Sequence, residues 1–121
     1  MATVKLYHNP RCSKSRAAAD YLVQSGVETE ICLYAETAPD AAEIRALYEM
    51  LGFSSPREMM RTKDALFAEL GLADEYDEAK LIDAIAEYPA LLERPIAVCK
   101  GKAAIGRPLE NIVALLAEKA V

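Results

Sequence analysis

The 121-residue chain has the length of one average domain and can bury a single hydrophobic core. Its 53% hydrophobic and 27% charged composition excludes a disordered or low-complexity chain, and its longest unbroken apolar run, 112–117, is too short to span a membrane. The net charge of −5 argues against non-specific nucleic-acid binding, and residues 1–10 lack the apolar stretch of a secretory signal, so we expect a small soluble cytoplasmic domain.

The first third of the chain predicts two strands joined by a helix. Residues 2–7 form a short strand that ends at the turn-forming pair Asn9 and Pro10. A helix follows from about Ser15 to a stop at Gly26. The residues expected to share one face of this helix are Ala18, Tyr21, Leu22 and Ser25. A second strand is predicted where Thr29, Ile31 and Leu33 alternate with Glu28, Glu30 and Cys32. Strands joined by a helix are parallel with a right-handed crossover, so this segment is a βαβ unit.

The middle of the chain predicts four helices. The first has apolar residues at helical spacing, namely Ile44, Leu47, Tyr48 and Leu51. The second begins at a capping box over 55–58 with Pro56 at its first position. A short third helix spans 66–70, and the fourth turns Leu81, Ile82 and Ile85 inward. The expected caps and stops are Gly52, Ser55, Gly71, Asp77 and Pro89.

The last third predicts a β-hairpin and a helix. Residues 96–99 and 102–105 flank the turn at Lys100 and Gly101. Pro108 then opens a helix whose apolar stripe is Leu109, Ile112, Val113 and Leu116. The order is βαβ, a helical block, then ββα, so we expect an α/β fold with helices packed on a mixed sheet.

The charges are partitioned along the chain. Residues 1–16 and 94–109 each carry +4 with no acidic residue, and the remainder carries −13. Both basic segments lead into the N-terminus of a predicted helix, where backbone N–H groups and the helix dipole favour anions. The two segments either come together as an anion site or form two separate solvated faces.

Cys12 is the cysteine with a case for reactivity. It lies between the first strand and the first helix, close to basic residues, and such surroundings lower the pKa of a thiol. Cys32 and Cys99 lie on predicted strands, where buried structural thiols are expected. The odd thiol count indicates a reducing compartment. Without a C-x-x-C motif and with one histidine, the sequence predicts no metal site, and nothing indicates a nucleotide or flavin.

The sequence pattern alone leaves the roles of three further residues open. His8 is either a solvated loop residue or a group that stabilises a thiolate four positions away. The position of Arg61 beyond the helix start at Pro56 by itself predicts only a surface arginine. Pro95 lies just before a predicted strand, where a cis bond or a tight turn is plausible.

Five segments of the sequence resemble those of a known family. The segment YHNPRCSKSR (7–16) resembles the active-site loop of glutaredoxin-dependent arsenate reductases. The similarity continues through REMMRTK (57–63), ELGL (69–72), LIDAIAEYPALLERPI (81–96) and IGRPLENI (105–112), in order and over essentially the whole chain. It implies a single domain over 1–121 with a thioredoxin-like, mixed four-stranded sheet and a helical insertion at about 38–90.

The resemblance also assigns roles to individual residues. Cys12 would be the nucleophile that attacks arsenic, and His8 would keep it as a thiolate. The arginines that hold the oxyanion would be Arg61, Arg94 and Arg107. Asn9, Ser15 and Arg16 would shape the loop, and Pro95 would be the cis-proline of the fold.

The implied reaction reduces arsenate to arsenite with no bound cofactor. A Cys–arsenic adduct would be attacked by glutathione, and glutaredoxin would complete the reduction. Position 15 is serine, so the loop has no neighbouring resolving thiol, and an external thiol is required unless Cys32 or Cys99 can reach.

Two other functions remain open. Spx-type transcriptional regulators, which bind RNA polymerase, share the fold and the R-P-I segment. They typically carry a C-x-x-C switch and lack a match for Gly106–Pro108, so Ser15 and Arg107 count against this alternative. The second alternative is an enzyme of the same fold that acts on a different oxidised substrate.

Overall fold

The computed structural model describes residues 3–119, so Ala2 of the first predicted strand lies outside the described residues. The strands are β1 (Thr3–Tyr7), β2 (Glu28–Cys32), β3 (Ile96–Cys99) and β4 (Lys102–Ile105). The helices are α1 (Ser13–Gln24), α2 (Ala41–Leu51), α3 (Ala65–Glu69), α4 (Glu78–Glu87) and α5 (Glu110–Lys119). Short 3₁₀ turns span Pro56–Met59, Leu72–Asp74 and Pro89–Leu91. No helix in this part of the chain is both long and apolar enough to cross a membrane.

The four strands form one mixed sheet in the order β2-β1-β3-β4. Strand β1 runs parallel to β2, with Leu6 opposite Ile31, and antiparallel to β3, with Leu6 opposite Ala97. The hairpin of β3 and β4 pairs Ile96 with Ile105. The predicted βαβ and ββα halves are therefore confirmed, and the C-terminal end of β1 leads directly toward α1.

The chain divides into two compact units. One contains the sheet and comprises the residues up to Thr37 together with those from Arg94 onward, and the other is Ala38–Glu93. The second unit has nearly the bounds of the insertion expected from the resemblance. The single domain over 1–121 stays a prediction.

The sheet unit is built on a core of alternating strand residues and helix residues three or four apart. This core comprises Val4, Leu6, Ala18, Leu22, Ala97, Cys99, Ile112 and Leu115. Three residues that the sequence patterns place with apolar neighbours are in contact with solvent: Ile31 is 45% exposed, Val113 is 37% exposed, and Ser25 is exposed. Ile31 lies on the edge strand β2, and α5 is rotated so that Leu115 is buried where Val113 was expected.

The Ala38–Glu93 unit follows the predicted capping chemistry. Asp77 caps α4 by accepting a hydrogen bond from the Lys80 backbone N–H at 3.2 Å. Gly52 takes the left-handed conformation after α2, with φ of 72°. The capping box of Ser55 and Glu58 is present, but the element it opens is a 3₁₀ turn and not the predicted α-helix. The buried faces of α2 and α4 comprise Ile44, Leu47, Leu81, Ile82 and Ile85.

Two helix starts differ from the prediction. Helix α1 begins at Ser13, two residues before the expected Ser15, so that Cys12 is its N-cap residue. Helix α5 begins at Glu110, two residues after Pro108. The Arg107–Pro108 and Arg94–Pro95 peptide bonds are both cis, the latter as the resemblance implied for Pro95.

Candidate active site

A tight loop connects β1 to α1 and carries the reactive-cysteine candidate. The backbone N–H of His8 donates to the Cys32 carbonyl at 2.9 Å, which extends the pairing of β1 with β2. The Cys12 N–H then donates to the Asn9 carbonyl at 3.0 Å and closes the turn. The Asn9 side-chain oxygen accepts from the Arg11 N–H at 3.0 Å. These bonds place Cys12 at the N-terminal end of α1.

Ser15 fixes this loop from the inside. It is fully buried, and its Oγ lies 2.6 Å from His8 Nδ1 while accepting from the Asn9 N–H at 3.0 Å. Arg16 holds the outer side of the loop, because its Nη1 donates to the Pro10 carbonyl at 2.8 Å. Asn9, Ser15 and Arg16 thus all hold the loop, the kind of role the resemblance gave them.

His8 differs in detail from the expected role. Burial, and then the nearby positive charge of Arg16, lower the pKa of His8 and so favour its neutral imidazole. A neutral ring cannot stabilise a thiolate as a counter-charge. The contact of His8 with Ser15 makes it a residue that orders the loop, and an effect on Cys12 would act through Ser15.

Cys12 is only partly buried and lies among hydrogen-bond donors. Arg107 Nη2 donates to its Sγ at 3.2 Å. Burial by itself raises the pKa of the thiol, but the Ser15 N–H, the Arg94 guanidinium, the Lys14 N–H and the charge of Arg107 outweigh it and lower that pKa. The donors all favour the negative form, so the site favours the Cys12 thiolate.

The turn between β4 and α5 aims Arg107 at Cys12. Arg107 Nε donates to the Arg94 carbonyl at 2.7 Å, and the Gly106 N–H donates to the Pro95 carbonyl at 2.8 Å. A Cβ at Gly106 would lie 2.7 Å from Ile112 Cδ1 and 2.9 Å from Pro95 Cγ, so only glycine fits this close approach. Arg94 and Arg107, separated by the whole hairpin in sequence, meet at Cys12.

Tyr34 belongs to this site and was not singled out by the sequence analysis. It is 1% exposed, and its hydroxyl has no hydrogen-bond partner among the described residues. Arg94 and Asn9 lie near enough to affect its pKa without a hydrogen bond of normal geometry. It follows the carboxyl end of β2 and so shares the sheet edge of the Cys12 loop. Ligand sites tend to lie at the carboxyl ends of parallel strands, so the position of Tyr34 just after the predicted second strand could have indicated it as a site residue.

Arg61 lies in the Ala38–Glu93 unit. Its guanidinium is 3.3 Å from Asp64 and 3.7 Å from Glu93, and its backbone N–H donates to the Leu91 carbonyl at 2.7 Å. The same unit has a surface cavity of about 650 Å³, lined by Met60–Ala65 and Glu93. The role of Arg61 as an oxyanion ligand stays a prediction.

The other two cysteines are also free thiols. Cys99 is buried in β3, as expected, but Cys32 is only partly buried because it lies at the end of the edge strand β2. Over residues 3–119, no three histidine, cysteine or carboxylate side chains are grouped so that they could hold a metal ion.

Residues 7–115 match the sequence model of the ArsC family. The chain belongs to the ArsC family. An arsenate reductase of Neisseria meningitidis serogroup A is 52% identical over 117 residues, which are 96% of this chain and 100% of that protein. The uncharacterized protein YfgD of Escherichia coli K12 is 52% identical over 114 residues, 93% of this chain and 96% of that one.

A solved structure of an arsenate reductase from Vibrio cholerae superposes with a TM-score of 0.90 at 43% identity. The superposition covers 93% of this chain and 96% of that one. Together with the mixed sheet, this confirms the thioredoxin-like α/β fold that the resemblance implied for this ArsC protein.

Proposed function

We propose that this ArsC protein reduces arsenate to arsenite, with Cys12 as the nucleophile and with glutathione and glutaredoxin as reductants. The observation that carries the proposal is the contact of Arg107 Nη2 with Cys12 Sγ at 3.2 Å, made to a thiol whose pKa is lowered. An activated thiolate beside a guanidinium suits attack on a tetrahedral oxyanion. The arsenate reductase of N. meningitidis at 52% identity supports arsenate as that anion.

Arg94 and Arg107 are proposed to bind the arsenate oxygens. A guanidinium presents donors in a planar fork that matches two oxygens of a tetrahedral anion and offsets its charge during attack. Arg107 contacts the nucleophile and Arg94 lowers its pKa, so both charges lie where the reacting anion would bind. Arg61 is the third oxyanion ligand that the family resemblance adds to the proposal.

The proposed reaction conserves atoms and electrons in three steps. The Cys12 thiolate forms a bond to arsenic(V), and one arsenate oxygen leaves as water after protonation. The glutathione thiol then bonds to arsenic and displaces a second oxygen as water. Finally a glutaredoxin thiolate attacks the glutathione sulfur to form a mixed disulfide. The electron pair of the glutathione–arsenic bond stays on arsenic, which becomes arsenic(III), and water releases arsenite from Cys12.

The positions of the cysteines in this chain support the proposal that the reducing thiol comes from another molecule. Position 15 is a buried serine, so the active-site loop offers no second sulfur, and Cys99 is buried in the sheet. Cys32 is partly accessible at the end of β2, so its contribution has to be tested directly.

The proposal is tested by arsenate-dependent NADPH oxidation coupled through glutathione reductase, glutathione and glutaredoxin. We expect turnover that requires glutaredoxin, disappears in Cys12→Ser, and is largely retained in the matched variants Cys32→Ser and Cys99→Ser. Wild-type turnover in Cys12→Ser would refute the mechanism. No turnover by a wild-type protein whose Cys12 titrates as an acidic thiol would exclude arsenate as the substrate.

A further inference from the structure

Two buried donors near Cys12 have no protein acceptor. The Tyr34 hydroxyl and Arg94 Nε are both inaccessible to solvent, and neither has a hydrogen-bond partner among the described residues. Leaving a polar group buried and unpaired costs free energy, so two such groups at one place in a fold are uncommon. Tyr34 is in addition 1% exposed as a whole residue, so its hydroxyl cannot turn toward bulk water.

Both donors belong to the surroundings of the nucleophile. Arg94 acts on Tyr34 and on Cys12, because its guanidinium lowers the pKa of both groups. A Cys12 thiolate in turn contributes to raising the pKa of Tyr34. Burial raises it further, so the phenol keeps its proton at neutral pH and can only be a neutral donor or a weak acceptor there.

The groups that converge at this place are donors in need of an acceptor. An arginine has five N–H donors and no acceptor; Arg107 donates to Cys12 Sγ, and the Arg94 guanidinium lies near enough to lower the pKa of that thiol. A tetrahedral oxyanion is the ligand that brings several acceptor oxygens at once. We propose that the Tyr34 hydroxyl donates a hydrogen bond to an oxygen of the arsenate bound at Cys12, and so forms, with Arg94, a buried part of the oxyanion site. This inference rests on the proposed function for the identity of the anion.

Tyr34→Phe is the decisive variant, because it removes one oxygen and keeps the ring. Tyr48→Phe is the matched control, since Tyr48 is also a buried tyrosine but lies in the Ala38–Glu93 unit, where the nearby Glu78 affects its pKa. Arsenate affinity is measured as protection of Cys12 from iodoacetamide in the absence of glutathione. The KM for arsenate comes from the coupled assay, and stability from thermal unfolding without any anion.

We expect Tyr34→Phe to weaken arsenate binding and raise KM by about tenfold or more, the effect of losing a hydrogen bond to a charged group. Its unfolding temperature should equal or exceed that of wild type, because the hydroxyl it removes has no protein partner. Tyr48→Phe should leave the arsenate affinity unchanged, because Tyr48 lies outside the unit that contains Cys12. An unchanged affinity in Tyr34→Phe, or a loss of stability parallel to the loss of affinity, would overturn the inference.

Two further measurements keep this test separate from the proposed function. If wild type neither binds nor reduces arsenate, phosphate and sulfate replace it as probes in the protection assay. A tenfold weaker effect of these anions in Tyr34→Phe would still support the oxyanion site, and an equal effect would overturn it. If Tyr34→Phe does not fold, wild type labelled with ¹³C-tyrosine is titrated with arsenate, and a Tyr34 ring-carbon signal that does not move rejects the contact.

Discussion

Replacing Arg107 with alanine should raise the pKa of Cys12 by about one unit. The guanidinium donates to Sγ at 3.2 Å, and it is partly exposed, so water screens most of its charge. At the dielectric constant of water, two unit charges at that distance interact by about 1.3 kcal/mol, which corresponds to about one pKa unit. Less complete screening by water would enlarge the shift, and added salt would reduce it.

The direction of this change fixes its dependence on pH. Arg107 stabilises the thiolate, so removing it makes the thiol harder to ionise and lowers the thiolate fraction at every pH below the new pKa. The thiolate fraction of Cys12 should therefore be about tenfold lower in Arg107→Ala at pH values below both pKa values. Alkylation by iodoacetamide should be slower there, by less than tenfold, because a thiolate of higher pKa is the better nucleophile. The pH at which alkylation reaches half its maximum should move upward.

Arg11→Ala is the control for a positive charge that lies near Cys12 in sequence without a contact to its thiol. Arg11 is exposed and adjacent to Cys12 in sequence, and its replacement by alanine removes the same formal charge as Arg107→Ala. Because exposed charges without contact are screened by solvent, its alkylation profile should stay close to that of wild type. If both variants shifted the profile equally, the net charge of the loop would explain the acidity. An unshifted Arg107→Ala profile would refute the role given to the contact.

Four other variants test the support of the Cys12 site and the capping of α4. Gly106→Ala should destabilise the protein by about 1–3 kcal/mol in urea unfolding and slow alkylation of Cys12, because the added Cβ collides with Ile112 and Pro95. Ser15→Ala should cost about 1–3 kcal/mol in the same measurement, since it leaves the Asn9 N–H and His8 without their buried partner. Asp77→Ala should cost about 1 kcal/mol by loss of the α4 cap, whereas Asp77→Asn should be nearly neutral, and neither should change alkylation.

The elements that the sequence predicted well are set by local chemistry. The hairpin bounds agree with the structure because the turn at Lys100 and Gly101 uses positive φ at both residues, 47° and 81°. Asp77, Ser55 and Gly52 act where expected, since a cap depends on residues within three or four positions. The motifs that resemble arsenate reductases indicated Cys12, Arg94 and Arg107, but their meeting depends on a sheet that no local pattern shows.

The failures have tertiary causes. Ile31 has the alternation of an inward residue, yet β2 is an edge strand and leaves it partly in solvent. His8 was expected to help keep Cys12 as a thiolate, and this role stays a prediction. Its contact with the buried Ser15 shows that its place in the loop depends on a residue seven positions away. Tyr34 carries no motif, and only its place beside Arg94 at the end of β2 makes it a candidate.

The net charge of the chain is a poor guide to what its reactive loop attracts. The unit that contains Cys12 carries nine basic and six acidic residues, a net charge of +3, whereas the Ala38–Glu93 unit carries five basic and thirteen acidic residues, a net charge of −8. The overall charge of −5 therefore comes from the Ala38–Glu93 unit, and the sheet unit by itself is basic.

The charges of Arg107 and Arg94 act on Cys12 at short range, where added salt screens them weakly. Exposed basic residues act through solvent, and their effect is screened at about 10 Å in 0.1 M salt. The lowered pKa of Cys12 should consequently persist at high ionic strength, and a protein that is acidic overall can hold an activated thiolate ready for an anion.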